Sequence, residues 1–120
     1  MRSDVSPMVV TQPQSWQTQP GRFAGEWQGG ASGAGICVIV NLVATVGDGV
    51  RLHRHPYAET FVVRKGKVVF TIGEDKVEGH QGQIIVIAAG VPHGFTNAGS
   101  EPLEMIDIHE NGKFITELLD

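Results

Sequence analysis

The stretch GDGVRLHRHPYAETFVVRKG, residues 47–66, carries two histidines one residue apart, a glutamate four positions later and a glycine at each end. On a strand, side chains alternate in direction, so His53 and His55 project to one face about 7 Å apart. Pro56 cannot donate a ladder hydrogen bond and favours a turn, after which Glu59 can return on a neighbouring strand. The stretch predicts a hairpin that gathers potential metal ligands. The alternative is a hairpin whose polar residues face solvent.

The rest of the chain repeats this pattern of short strands and glycine turns. Sixteen glycines punctuate runs rich in Val, Ile, Thr and Phe, and no long apolar period of 3.6 residues is present. Seven strands are predicted, which indicates an all-β sandwich or barrel. Residues 113–119 fit either a last edge strand or one helical turn. The predicted strands are 35–46, 50–55, 59–65, 67–72, 83–88, 93–97 and 102–109.

The chain has room for one hydrophobic core. At 120 residues it matches the usual size of one domain. Residues 1–20 carry three prolines and four glutamines and are predicted to form an N-terminal arm or flexible tail. Residues 21–120 are predicted to form the single folded domain.

One predicted strand, GICVIVNLVAT at residues 35–45, is apolar at odd and even positions alike. A strand with one solvated face should alternate, so both faces are expected to be covered. One face can line a barrel. The other can be covered by a second copy of the chain, or by the N-terminal segment that contains Trp16 and Trp27. We therefore expect a homodimer.

Composition argues against several classes of partner. The formal net charge is −4, which offers no positive excess for a phosphate backbone, so nucleic acid is not an expected partner. No apolar run approaches the roughly 20 residues of a membrane-spanning helix. The start lacks a signal-peptide pattern, and a lone Cys37 rules out an intramolecular disulfide, so a cytoplasmic protein is expected.

A second stretch, GQIIVIAAGVPHGFTN at residues 82–97, extends the pattern. Together the two stretches resemble the two sequence motifs of the cupin family, as found in small single-domain cupins. The first motif is complete, with Gly47, His53, His55, Glu59 and Gly66 in its fixed positions. In the second motif, Ala88 stands where the family usually has proline, and the matching positions are Gly82, Gly90, His93 and Asn97.

The resemblance implies a double-stranded β-helix, or jelly-roll barrel, that binds one divalent metal through His53, His55, Glu59 and His93. Iron, manganese, nickel, copper and zinc all accept such a ligand set, and open coordination positions would remain for a substrate. The implied function is a metal-dependent small-molecule enzyme, most like a dioxygenase, with isomerases and lyases as relatives. Glu59 would then be both ligand and proton acceptor. The alternative is a non-enzymic module that binds a metal or a small ligand.

Five residues are candidates for the wall of a substrate pocket. Arg51 shares the predicted face of His53 and can grip a carboxylate at the barrel mouth, or simply lie in water. The apolar candidates are explained equally well by core packing, and Asn97 can either support a ligand or close its own turn. Besides Arg51, the candidates are Phe61, Val63, Phe95 and Asn97.

Two further histidines are expected to lie outside the metal site. His80 falls in a Gly-His-Gln-Gly sequence typical of an exposed turn. In LEMIDIHE, residues 103–110, Ile106 and Ile108 alternate with Asp107 and His109. The isoleucines are interpreted as the buried face, which sends Asp107 and His109 outward, although a role of His109 in the pocket or at a dimer contact stays open.

Overall fold

The computed structural model describes residues 7–119, and these fold into an almost entirely β structure. Two short 3-10 turns, Pro13–Ser15 and Gly29–Ser32, are the helical segments among these residues. None of the helices in residues 7–119 has the length and apolar character needed to cross a bilayer. The strands are β1 Gly25–Gln28, β2 Cys37–Val43, β3 Gly49–Arg54, β4 Glu59–Lys65, β5 Lys67–Ile72, β6 Asp75–His80, β7 Ile84–Ile87, β8 His93–Asn97, β9 Leu103–His109 and β10 Glu117–Leu118.

The strands form two antiparallel five-stranded sheets that face each other. One sheet has the order β1-β2-β9-β4-β7 and the other β10-β3-β8-β5-β6. Neighbours in the sheets are mostly distant in sequence, so the chain crosses repeatedly from one sheet to the other, as in a jelly roll. The predicted all-β, jelly-roll fold class is confirmed.

The seven predicted strands correspond to β2, β3, β4, β5, β7, β8 and β9, and three more strands are present. β6 has the sequence DKVEGH, whose charged side chains are exposed, so apolar periodicity gives no sign of it. Of the two possibilities for residues 113–119, the edge strand is confirmed, because β10 pairs with β3.

The inner faces of β4 and β9 change character along their length. Towards one end they present buried apolar side chains, and towards the other they present polar ones. The apolar end holds the core, in which the rings of Phe61, Phe70 and Phe95 pack together. Their centroids lie 4.9 to 6.0 Å apart. The polar end begins at Glu59 on β4 and at Asp107 on β9. The full core cluster is Phe61, Val63, Val68, Phe70, Ile87, Phe95, Leu103 and Met105.

Strand β2 has two apolar faces, as predicted. Ile39 and Asn41 line the interior of the barrel. On the outer face Val38 and Val40 form a shallow groove with Trp27 of β1 and with side chains of the N-terminal segment, Val9, Thr11, Trp16 and Phe23. The N-terminal segment thus covers part of the outer face.

The N-terminal segment is attached to the barrel where residues 16–18 pair with residues 24–26. The amide of Glu26 donates to the carbonyl of Trp16 at 3.0 Å, and the amide of Thr18 donates to that of Ala24 at 3.0 Å. Residues 1–6 of the predicted arm lie outside the described part of the chain. The division of the chain at residue 20 stays a prediction.

Candidate metal centre

Four buried side chains meet at the polar end of the barrel. His53 lies on β3, His55 directly follows β3, Glu59 opens β4 and His93 opens β8. Each is at most 6% exposed. One ligand atom from each residue lies within 4.8 Å of those of the other three. The structure therefore brings together the four side chains that the cupin resemblance singled out.

The three imidazole rings are held in one tautomer by the backbone. In each ring Nδ1 lies within hydrogen-bond distance of a carbonyl oxygen, which can only accept, so Nδ1 carries the proton. Nε2 of the neutral ring then has its lone pair directed at the cluster, as metal binding requires. The Nδ1 contacts are His53 with the carbonyl of Arg51 (2.6 Å), His55 with that of Ile115 (2.9 Å) and His93 with that of Val91 (2.9 Å).

The Glu59 carboxylate lies among the rings. Oε1 is 2.9 Å from Nε2 of His93 and 3.2 Å from Nε2 of His55, and Oε2 is 3.0 Å from Nε2 of His109. Burial opposes ionisation of Glu59, but the hydrogen bonds that His109, His55 and His93 donate when Nε2 carries a proton outweigh it and hold its pKa well below the ordinary value. Glu59 is therefore a carboxylate, the form that binds a cation.

The donor set fits a divalent transition metal. Burial, reinforced by the neighbouring His93 and His55, lowers the pKa of His53 and favours its neutral ring. Nε2 of His55 is buried and has no aligned hydrogen-bond partner in residues 7–119. Neutral imidazole nitrogens with one carboxylate suit the borderline first-row ions. These residues can hold such a metal.

A cavity of about 300 Å³ opens beside the cluster. Its walls come from both sheets and from the segment that leads to β10. Apolar side chains make up much of the wall, and this combination with a few convergent polar groups is typical of small-ligand sites. The lining residues are Glu26, Ile39, Asn41, Val50, His53, His55, Glu59, Phe95, Asp107, His109, Phe114, Thr116 and Leu118.

The prediction that Asp107 and His109 point outward is wrong. Both are 2% exposed and face the cavity, whereas Ile106 and Ile108 are only partly buried on the other face of β9. β9 is the central strand of its sheet, and its polar end faces a polar interior. The assumption that the apolar pair must be the buried one caused the error. Met105, which alternates in step with Asp107 and His109, was the available signal.

His109 is linked to the cluster on one side and to Tyr57 on the other. The Tyr57 hydroxyl lies 2.7 Å from Nδ1 of His109 and accepts a hydrogen bond from the amide of Ile115 at 3.2 Å. Tyr57 can therefore donate its own proton to Nδ1, which leaves the proton of a neutral His109 on Nε2, facing Glu59. Nε2 of His109 is buried and has no aligned hydrogen-bond partner in residues 7–119, so in this tautomer its proton is available beside the cluster.

Asp107 forms the polar wall of the cavity beyond His109. Asn41 donates from Nδ2 to Oδ2 of Asp107, while Oδ1 has no hydrogen-bond partner in residues 7–119. Burial, together with the negative charge of Glu59, raises the pKa of Asp107 well above its ordinary value. Sequence reasoning missed this residue for the same reason that it missed His109.

The five pocket candidates have different places. Phe95 lines the cavity, whereas Phe61 and Val63 belong to the core beneath it. Arg51 is exposed and is not among the lining residues, because a bulge between Val50 and His53 shifts the register and brings Val50 into the wall instead. A substrate contact by Arg51 stays a prediction.

Asn97 and His80 have local roles. Asn97 donates from Nδ2 to the carbonyls of Val43 and Glu101, and its Oδ1 accepts from the amide of Gly99, so it closes its own turn. His80 is exposed at the end of β6 and lies 2.8 Å from Glu78. The expectation of an exposed His80 is confirmed.

Solved structures with this architecture include proteins of different lengths. An uncharacterized conserved protein with a double-stranded β-helix domain from Klebsiella pneumoniae has a TM-score of 0.69 and 18% identity, over 96% of this chain and 99% of that one. A protein from Bacillus halodurans has a TM-score of 0.60 and 24% identity, over 67% and 65% of the two chains. The oxalate decarboxylase of Lactobacillus farciminis has a TM-score of 0.71 and 17% identity, over 88% of this chain but only 34% of that one.

At these identities the likeness concerns the fold. No curated protein sequence matches the chain. The family model of the cupin domain matches residues 42–109, which is more than half of the chain and includes all four candidate ligands. The chain therefore belongs to the cupin family.

Proposed function

We propose that this protein is a metal-dependent small-molecule enzyme of the dioxygenase type, with His53, His55, Glu59 and His93 as metal ligands. The observation that carries the proposal is the burial of four ligand atoms within 4.8 Å of one another beside a cavity of about 300 Å³. A structural metal would need no such cavity. A metal next to an opening is what metal-assisted chemistry requires.

His109 supports an enzyme over a binding module. A module needs ligands and a pocket, but it has no need of a group that handles protons. His109 faces the cavity, lies 3.0 Å from Glu59 and is oriented by Tyr57 at 2.7 Å. A histidine oriented in this way is suited to general acid–base catalysis. The lowered pKa of Glu59 opposes the predicted role of that carboxylate as proton acceptor, so His109 is the better candidate for this step.

A bound divalent metal would supply Lewis-acid or redox activation of dioxygen or of an oxygen-bearing substrate. The chain's own residues contribute the other requirements. Phe95, Val50 and Ile39 give the cavity an apolar wall beside the ligand cluster. His109 can hold a proton at Nε2, 3.0 Å from the Glu59 carboxylate and facing the cavity.

The structural likeness to oxalate decarboxylase does not identify a substrate for this protein. Its identity of 17% limits that likeness to the fold. Oxalate is a dianion, and the lining residues of this cavity, as described within residues 7–119, include neither lysine nor arginine. A cationic side chain is the usual partner of a buried carboxylate ligand. A bound divalent metal would be the only cationic partner among these lining residues, so we favour a substrate with no anionic group beyond the atoms that bind the metal.

The first experiment is elemental analysis of untagged protein that is purified without chelators and without a nickel column. We expect about one equivalent of a first-row divalent metal per chain. The loaded protein is then tested for oxygen consumption with a panel of diketones, catechols and thiols. Consumption with one class that stops when the metal is removed supports the proposal.

Two other outcomes contradict it. Tight binding of panel compounds without oxygen consumption or product would favour the non-enzymic module. No metal after purification and no uptake on reloading would mean that the four side chains keep the arrangement of a metal site without its function.

A further inference from the structure

The cavity contains a second polar feature that the metal cluster does not use. Asp107 is 2% exposed, lines the cavity and has one carboxyl oxygen, Oδ1, without a hydrogen-bond partner in residues 7–119. Leaving a buried polar atom unpaired costs free energy, so native structures rarely do so without a reason. The other oxygen, Oδ2, is held by Asn41. The carboxyl group is therefore oriented, with its unpaired atom available to a molecule in the cavity.

The position of Asp107 sets its distance from the metal ligands. On β9 it lies two residues from His109, which is the register partner of Glu59 on β4. Residues two apart on a strand share a face and are separated by about 7 Å between Cα atoms. A molecule the size of a substituted benzene ring can thus reach both the ligand cluster and Asp107. The cavity wall also includes the apolar side chains of Phe95 and of Ile39, which is the register partner of Asp107 on β2.

The chemistry of the surroundings limits what can bind there. Three carboxylic acids, Glu26, Glu59 and Asp107, line the cavity, and no lysine or arginine does so within the described part of the chain. At this end of the cavity a carboxylate or phosphate group would have no lysine or arginine as counter-ion, and it would meet like charge wherever Asp107 is ionised. A hydroxyl group can donate a hydrogen bond to an ionised carboxylate or accept one from a protonated carboxyl group. It can therefore pair with Asp107 in either protonation state of that residue.

We propose that Asp107, oriented by Asn41, is a substrate-binding residue that recognises a hydroxyl group on an uncharged small molecule whose other oxygen atoms reach the metal ligands. This proposal names the substrate class of the proposed function. It rests on that function for the second contact, the one between the substrate and the metal site. Asp107 does not touch the cluster itself. It selects for hydroxylated ligands and against anionic ones.

Three ring compounds test the proposal by isothermal titration calorimetry under anaerobic conditions, with zinc-loaded and metal-stripped protein. Catechol has two adjacent hydroxyl groups, pyrogallol adds a third, and pyrocatechuate carries a carboxylate where pyrogallol has that third hydroxyl. We expect pyrogallol to bind about tenfold more tightly than catechol, and pyrocatechuate to bind no more tightly than catechol. This comparison needs no variant. Equal binding of catechol and pyrogallol, or tighter binding of pyrocatechuate than of pyrogallol, would overturn the proposal.

Variants on β9 assign the effect to one side chain. Asp107→Ala is expected to lose the tenfold preference for pyrogallol, and Asp107→Asn to retain most of it, because the amide also offers a hydrogen bond to a hydroxyl group. Glu104→Ala removes a carboxylate from the same strand, where it pairs with Arg64 at 3.3 Å away from the cavity, and should leave the preference unchanged. A preference that survives in Asp107→Ala contradicts the assignment.

Metal content, measured for every variant, separates this proposal from the proposed function. If the wild-type protein does not take up zinc, the metal site fails. The pyrogallol preference of the stripped protein and its loss in Asp107→Ala then still decide the role of Asp107.

Discussion

At the scale of single residues, the site depends on which ring nitrogen each histidine presents. The backbone carbonyls of Arg51, Val91 and Ile115 fix Nδ1 of three rings, so that Nε2 is available for a metal. His80 has the same chemistry but is exposed beside Glu78. Position in the fold, not residue type, distinguishes the candidate ligands from His80.

A pair of histidine variants tests this distinction. His53→Ala is expected to lower metal occupancy by about tenfold or more, because a ligand and its oriented lone pair are lost. His80→Ala should leave occupancy unchanged. Metal content after dialysis against one equivalent of metal is the measurement, and an equal loss in both variants would be incompatible with the assigned ligand set.

Asp107 makes stability depend on pH. Burial and the charge of Glu59 raise its pKa in the folded state, so the folded protein holds this proton more tightly than the unfolded chain. The resulting stabilisation is present below the pKa of the unfolded state and is lost as pH rises through the folded-state pKa. Asp107→Asn removes an ionisable group that is costly to bury at high pH.

We expect Asp107→Asn to raise the thermal midpoint of metal-stripped protein by roughly 5 °C at pH 8 and to change it little at pH 4. Glu104→Gln, on the same strand and partly exposed, should show no such difference between the two pH values. Thermal unfolding followed by circular dichroism measures both. A gain for Asp107→Asn that is equal at both pH values would mean that its charge is not the cause.

At the scale of elements, the site depends on the close approach of β3 and β8, which carry His53 and His93. A Cβ atom at Gly49 of β3 would lie 1.9 Å from the carbonyl oxygen of Phe95 on β8. Only glycine permits the two strands to pair at this point. This pairing also places His53 opposite His93, with ring centroids 4.3 Å apart.

Gly49→Ala should therefore separate the two strands, lower the free energy of unfolding by about 3 kcal/mol and weaken metal binding. Gly35→Ala is the matched control, because a Cβ there meets nothing within 4 Å and the backbone does not need glycine. Urea denaturation and metal titration of both variants provide the measurements. Equal stability of the two variants would contradict the role assigned to Gly49.

The sequence predicted these elements unevenly. β4, β5 and β8 were placed at their observed bounds because runs of apolar side chains are bounded by turns that contain glycine or, before β4, Pro56. β6 was missed because its side chains are charged and exposed, so its pairing with β5 depends on backbone hydrogen bonds that composition does not reveal. The four candidate metal ligands were found through family motifs. Asp107 and His109 were not, because which face of β9 is buried depends on the position of β9 in the sheet.

At the scale of the whole molecule, one sheet has an apolar outer face that runs across its strands. The N-terminal segment covers the end near Trp27, whereas Ile84 and Val86 on β7 are 66% and 65% exposed. Exposed apolar patches of this kind mark interaction sites, and a two-fold axis lets such a face pack against itself. We propose that a second copy of the chain covers it.

Light scattering is expected to give the mass of a dimer for the full-length protein and of a monomer for Ile84→Glu. Val77→Glu places the same charge on β6 of the other sheet, where Val77 is 42% exposed, and should remain a dimer. A monomeric wild-type protein would contradict the proposal that a second copy of the chain covers the outer face.

The central position of β9 also bears on how the protein is made in the cell. β2 and β4 are synthesised well before β9, but in the finished sheet β9 lies between them. While the ribosome still holds residues 103–109, neither of those strands has this neighbour, and the barrel cannot close. His53, His55, Glu59 and His93 have all been translated by then, but two features are still missing: β9 beside Glu59, and Ile115, whose carbonyl orients His55. We expect the protein to acquire its metal after synthesis of β9, when the folded barrel binds one of the ions available in its surroundings.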